Sequence, residues 1–228
     1  MSELGINVAG RAEYSPEVIA ATGARWVRCV AYPDANIDSW LARLQALRIR
    51  TLLVLARESF DGLTWQQGVA LYQRLYTGRV TYVQVGNEPD QESESSWTMS
   101  PRDLNKLLAL VRSMWTEITV VGPGLVSGNP SWLTFIEPAL VDAYSAHIYG
   151  QRPEPNWPDV TWGFGYADDL LSRYSEQAKG KPVWVTEVGL STSEVSEQVQ
   201  AEYCRRMMRF LARREAPGFW FCLSDGMV

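Results

Sequence analysis

The 228-residue chain is short of several things that commonly carry chemistry: it has one histidine, three cysteines and no excess of basic residues. Cys29, Cys204 and Cys222 are an odd number at unrelated spacings, with no C-x-x-C pair, so they read as reduced, mostly buried thiols rather than as a disulfide framework. With His147 as the only imidazole, a zinc site lacks ligands at any usual spacing, and no metal is expected. The 21 lysines and arginines stand against 26 acidic residues, a net charge of -5 with no basic run, which removes the electrostatic footprint of a nucleic-acid binder. No apolar run reaches about 18 residues, so no membrane partner is expected. The start, Met1-Ser2-Glu3-Leu4-Gly5, has neither a basic nor an apolar leader segment, which gives the expectation of a cytoplasmic chain, or of a secreted one whose leader has been removed. Gly-x-Ser-x-Gly elbow, P-loop and Rossmann fingerprint are all missing, and nothing asks for a cofactor.

What is present is an ordinary globular composition, 46% hydrophobic and 21% charged, with ten tryptophans and ten tyrosines. Most of these aromatics suit a core. Trp97, Trp157 and Trp162 lie instead in polar connections rich in Pro, Gly and Ser, where flat faces suit a sugar ring.

The central stretch is Val80-Thr81-Tyr82-Val83-Gln84-Val85-Gly86-Asn87-Glu88-Pro89-Asp90, a buried strand that runs into a turn carrying an acid. Around it, strand candidates begin at Leu4, Arg25, Thr51, Ile118, Val141, Pro182 and Gly218. The fifth is expected over Ile118 to Gly122. Helical patterns alternate with them: Ser15-Pro16 and Ser100-Pro101-Arg102-Asp103 are start signals, and Ile37, Trp40, Leu41, Leu44 and Leu47 share one face. A short helix is expected from Ser131 to Leu140, and a long one from about Val195 to Arg214. Gly150 to Gly163 reads as a long loop.

Eight strands alternating strictly with seven helices call for parallel pairing with helical crossovers, and in this length the answer is an α/β fold, a (β/α)8 TIM barrel. An open doubly wound sheet would want a Gly-rich turn after an early strand, and Val8-Ala9-Gly10-Arg11 is not one. No linker divides the chain, so residues 1–228 read as a single barrel domain, one that ends just past its eighth strand without residues for an eighth helix. An eighth strand left uncovered would expose apolar side chains, hence the expectation of either a chain cut short after that strand or a subunit contact over that seam.

Barrel active sites form at the C-terminal ends of the strands. The polar residues expected there are Asn7, Arg28, Glu58, Asn87, Glu88, His147, Tyr149 and Glu187. Glu88 and Glu187, on strands four and seven, can face each other, and glycosidic hydrolysis needs such a pair: one carboxylic acid to protonate the leaving oxygen, one carboxylate to attack or to activate water.

The Asn-Glu-Pro of strand four, the His-x-Tyr of strand six, the Thr-Glu-x-Gly of strand seven and the arginine ending strand two together resemble the clan A retaining glycoside hydrolases. The resemblance spans nearly the whole chain through short motifs. Gly-Asn-Glu-Pro-Asp, Gly122-Pro123-Gly124 and Ala146-His147-Ile148-Tyr149-Gly150 look most like the small β-1,3-glucanase-type and β-xylosidase-like families. It implies that Glu88 is the acid/base and Glu187 the nucleophile, that Asn87 binds a sugar hydroxyl, and that Arg28 and Tyr149 hold Glu187 ionised. His147 would line the pocket, and Trp220 or Phe221 would lie under the sugar. Asn7, by its place at the end of the first strand, reads as substrate-binding or as a residue that simply ends the strand. The implied activity is retaining, endo-acting hydrolysis of a β-glucan. Two other readings stay open: a carbohydrate-binding barrel without catalysis, and a glycosidase piece of a larger cell-wall-degrading or phage protein.

Overall fold

A computed structural model describes residues 4–8, 14–33, 37–91, 99–126, 130–149, 162–190 and 195–221. Eight strands, β1 (Leu4–Val8), β2 (Trp26–Val30), β3 (Arg50–Leu55), β4 (Tyr82–Val85), β5 (Thr119–Leu125), β6 (Ala143–His147), β7 (Val183–Val188) and β8 (Gly218–Trp220), pair in parallel and in chain order into a closed barrel. Closure is made by β1 against β8, with Leu4, Gly5 and Ile6 opposite Gly218, Phe219 and Trp220.

Among the described residues, six helices surround it: α1 (Pro16–Ala21), α2 (Ile37–Ala46), α3 (Trp65–Tyr76), α4 (Pro101–Met114), α5 (Trp162–Gln177) and α6 (Glu197–Arg213). Four begin where a hydroxyl accepts from an otherwise orphaned backbone N–H, at Ser15, Thr64, Ser100 and Ser196. Residues such as Val83, Val85, Leu53 and Leu55 point outward from the strands into the layer that these helices cover, and all are 0–1% exposed. This sandwiching explains why the strands read as continuous apolar runs.

The helix expected over Ser131 to Leu140 is two 3-10 turns, Pro130–Phe135 and Pro138–Leu140, because Pro138 has no N–H to continue a ladder. The fifth strand runs on through Pro123 and Gly124 to Leu125. Trp162 opens α5 rather than lying in a loop, while Trp97 and Trp157 lie outside the described residues. So does the tail after Phe221, where the eighth helix was expected to be lacking. The strand itself is not left bare: all three residues of β8 are buried, and the Trp220 ring meets Tyr203 of α6 at 6.1 Å. Among the described residues there is thus no open apolar seam at β8 for a second subunit to cover.

Inside the barrel the two-residue alternation of the strands builds layers. The floor is Trp26, Leu52, Val121, Ala143, Trp184 and Phe219, with Tyr82 against them. One step up the same strands, Asn7, Arg28, Gln84 and Ser145 take the inward positions, and all are at most 5% exposed.

Candidate active site

The upper layer converges on Glu187. Its place depends on a β-bulge: Ala146 pairs with Val185 but His147 pairs with Glu187, so Thr186 is an extra residue in β7. Strict alternation would turn Glu187 away from Thr186; the bulge lets both face inward. Thr186 bonds Ser145 through the two hydroxyls at 2.5 Å, and Glu187 reaches across to Arg28.

Arg28 Nη1 donates to Glu187 Oε1 at 2.7 Å, and both side chains are only 6–7% exposed. A buried ion pair stands when its remaining donors are used. Here Nη1 also donates to Asn7 Oδ1 at 2.6 Å, Nη2 to Asn87 Oδ1 at 2.6 Å and Nε to Gln84 Oε1 at 2.9 Å. Tyr149 Oη donates to the other oxygen of Glu187 at 2.5 Å. Burial raises the Glu187 pKa, but the electrostatic influence of His147 and Arg28 and the hydrogen bonds from Tyr149 and Arg28 together outweigh it and hold the carboxyl below its usual range. Tyr149 is driven the other way, by its burial and then by the Glu187 charge, and keeps its proton.

Glu88 arrives by a different route. Gly86 has φ 90° and Glu88 itself φ 48°, the left-handed region that a side chain other than glycine enters at a cost. The turn is held by Glu88 N–H donating to Gly124 O at 2.8 Å and by an isolated bridge between Asn87 and Gly124. Its side chain is 21% exposed and meets His147 Nδ1 at 2.8 Å, while the same nitrogen lies 3.4 Å from Glu187 Oε2. An oxygen of each glutamate comes within 4.8 Å of the other.

His147 packs closely on Gly124, where a Cβ would lie 2.0 Å from its Nε2. That buried Nε2 has no hydrogen-bond partner among the described residues. A proton there would be stranded, so the arrangement favours a proton on Nδ1, where it faces Glu88 Oε1 and Glu187 Oε2. The same argument bears on a metal. Glu88, His147 and Glu187 are close enough to offer three ligand atoms, but a cation on Nδ1 would force the imidazole proton onto Nε2 against Gly124, and Arg28 already neutralises Glu187. The cluster fits a proton rather than a metal ion.

The expected site residues are thus brought together, with three corrections, at Asn7, Trp220 and Glu58. Asn7 is 3% exposed and its amide is turned to protein, donating to Thr186 O at 3.0 Å and Trp220 O at 3.3 Å, so it braces the site and has no face for a ligand. Trp220 points outward into the helix layer, because alternation along β8 sets Phe219 inward and Trp220 outward; Phe221 turns in, its ring 6.3 Å from Tyr149. Glu58 sits exposed in the 3-10 turn Arg57–Phe60, away from the cluster. Asn87 is half-buried, and beyond its bond to Arg28 its amide donor has no acceptor among the described residues. Gln84 is a site residue that is not among those expected from the sequence, although a glutamine between Val83 and Val85 in a buried strand is a legible anomaly.

Among solved structures, the chain resembles an active-site mutant of the Rhizomucor miehei β-1,3-glucanosyltransferase in complex with laminaritriose, at 18% identity and TM-score 0.71, covering 96% of this chain and 86% of that one. A family 39 glycoside hydrolase from the gut symbiont Bacteroides cellulosilyticus WH2 matches at 18% identity and TM-score 0.69, over 96% of this chain, which spans only 56% of that protein's length. The catalytic domain of the major endoglucanase from Xanthomonas campestris pv. campestris matches at 12% identity and TM-score 0.67, over 99% and 87% of the two chains. At such identities these likenesses concern the barrel. No curated protein sequence matches the chain. The family model described as "Glycosyl hydrolase catalytic core" matches residues 59–222, well over half of the chain and including both glutamates, and the chain therefore belongs to the glycosyl hydrolase catalytic core family.

Proposed function

We propose that the chain cleaves β-glycosidic bonds with net retention, with Glu187 as nucleophile and Glu88 as acid/base. The observation that carries this reading is the carboxylate pair itself: oxygens within 4.8 Å, in opposite environments. Retaining enzymes hold the two groups about 5–5.5 Å apart, while inverting ones need about 6.5–9.5 Å to admit a water. Glu187, buried and held ionised by Arg28 and Tyr149, is built to attack. Glu88, partly exposed on a strained turn, is built to trade a proton with what enters the mouth.

In the first step Glu187 forms a bond to the anomeric carbon as the bond to the leaving oxygen breaks, and Glu88 gives that oxygen its proton. In the second, water loses a proton to Glu88 and attacks the same carbon, releasing Glu187. Asn87, anchored on Arg28 with its amide donor unengaged by the described residues, is placed to bind a hydroxyl of the sugar under attack. Phe221, edge-on to Tyr149, is the aromatic beside that position. A site without catalysis would have no use for a buried carboxylate bound this fully.

The substrate class we infer is a β-glucan cut within the chain. The likeness to a β-1,3-glucanosyltransferase solved with laminaritriose and to an endoglucanase supports it. Reducing-end release from β-1,3-, β-1,4- and mixed-linkage glucans, mannan and xylan tests the class; release from xylan or mannan alone would redirect it. Glu88→Ala is expected to lose on the order of 10²–10⁴ in kcat on natural glucans. With an activated aryl glycoside, azide should restore turnover and give the glycosyl azide of unchanged anomeric configuration. An azide product of inverted configuration would end the assignment.

A further inference from the structure

Gln84 lies mid-strand in β4 at 0% exposure. A primary amide placed there is costly unless both ends are satisfied, and both are. Its Oε1 accepts from Arg28 Nε at 2.9 Å, and its Nε2 donates to Gly86 O at 2.9 Å. The first bond orients the guanidinium that grips Glu187. The second fixes the peptide at φ 90° that begins the turn presenting Glu88. Resting on the roles given above to Glu187 and Glu88, we propose that Gln84 is a positioning residue for both carboxylates, one amide that ties the counter-ion of the nucleophile to the turn of the acid/base.

Its neutrality matters as much as its reach. Arg28 faces one anion, Glu187, and three neutral amides, from Asn7, Gln84 and Asn87. Among the described residues, the other titratable groups around this layer are His147 and Tyr149 from the end of β6 and Glu88 at the end of β4, while β3 and β5 present Leu52, Val54 and Val121. A carboxylate at position 84 would contest Arg28 with Glu187 and leave the buried cluster with an extra negative charge. An apolar side chain would leave Arg28 Nε and Gly86 O without partners. Asparagine is one carbon too short to span both. A protonated carboxylic acid, however, has the length and both functions: its carbonyl can accept from Arg28 and its O–H can donate to Gly86 O.

Gln84→Glu is therefore a substitution that pH turns on and off. Below the titration of the introduced carboxyl both hydrogen bonds are reproduced and kcat/KM should stay close to wild type. Above it the donor to Gly86 is lost and a second anion competes for Arg28, so activity should fall. Gln84→Leu should lose on the order of 10²-fold in kcat/KM at every pH, mainly in kcat, as expected when a catalytic group is misplaced. A second measurement needs no turnover. The ¹³C carboxyl signal of Glu187, assigned by its loss in Glu187→Gln, should show in Gln84→Glu an added step at a higher pH than any wild-type step, by on the order of one unit, coincident with the loss of activity. A ratio to wild type that is constant across pH, with no added step at Glu187, would overturn the proposal and leave Gln84 a packing residue. If the wild type forms no glycosyl-enzyme on any glycan, the reading of the reaction fails, and the Glu187 signal still decides the role of Gln84.

Discussion

The floor and the mouth of this barrel use the same strands and the same alternation, yet they are built on opposite physics. On β2, Trp26 at the floor is followed two residues later by Arg28; on β4, Tyr82 by Gln84; on β7, Trp184 by Thr186. The floor is apolar and self-sufficient: Trp26 meets Tyr82 at 4.7 Å and Trp184 at 5.3 Å edge-on, and Trp184 stacks on Phe219 at 6.3 Å. Edge-on and offset rings of this kind add to what area burial supplies. The mouth places an arginine, a glutamate and three amides in the same narrow space and survives only because their polar atoms meet one another. The floor tolerates a change by losing stability; the mouth, where every group is half of a bond, loses its chemistry.

The widest expected gap between the two regions comes from Glu187→Gln. Activity on glucans should drop by at least about 10⁴-fold, while far-ultraviolet circular dichroism stays native, since the amide oxygen still accepts from Arg28. A variant within tenfold of wild type would remove the distinction between the two layers. Next comes Trp184→Ala at the floor, expected to cost about 3–5 kcal/mol in urea unfolding, as large-to-small core changes do, with kcat/KM of the folded enzyme within a few-fold of wild type.

A smaller effect belongs to Tyr149→Phe, which removes one hydrogen bond to a charged acceptor, about 1.5–3 kcal/mol. The expected loss in kcat is roughly 10- to 100-fold, with the acid limb of the pH profile moved upward because Glu187 loses a partner of its ionised form.

The smallest is a pH dependence of stability confined to the mouth. Burial works against Glu187, but His147, Arg28 and Tyr149 leave its folded pKa depressed. The stability it contributes is therefore complete above an unfolded carboxylate pKa of about 4.3 and is lost as pH falls through the folded value. The melting temperature of wild type should decline more steeply below about pH 4 than that of Glu187→Gln, whereas Trp184→Ala should keep the wild-type slope. Parallel slopes for wild type and Glu187→Gln would show that Glu187 adds nothing to this dependence.

Much of the mouth was legible in the chain. Asn87-Glu88-Pro89 after a buried strand, and Thr186-Glu187 ending a later one, mark where an alternating β/α pattern must bring polar residues together. Ser15, Thr64, Ser100 and Ser196 cap helices at sites set by local chemistry. Asn7 and Trp220 were legible only as polar and aromatic residues near strand ends. Whether each faces the ligand, the core or the helices depends on register, and a shift of one residue reverses the answer.

By itself, then, the sequence determined the alternating elements, the closed barrel they require, and the carriage of two carboxylates to one rim, because helix capping, apolar runs and strand spacing are short-range properties. Only the tertiary structure decided which atoms meet. The extra residue at Thr186 that turns Glu187 inward, the approach of His147 onto Gly124, the outward turn of Trp220 and the double engagement of Gln84 each arise between strands distant in the chain. A bulge or a side-chain contact of this kind is settled by the neighbours that the closed barrel supplies, and no local pattern contains them.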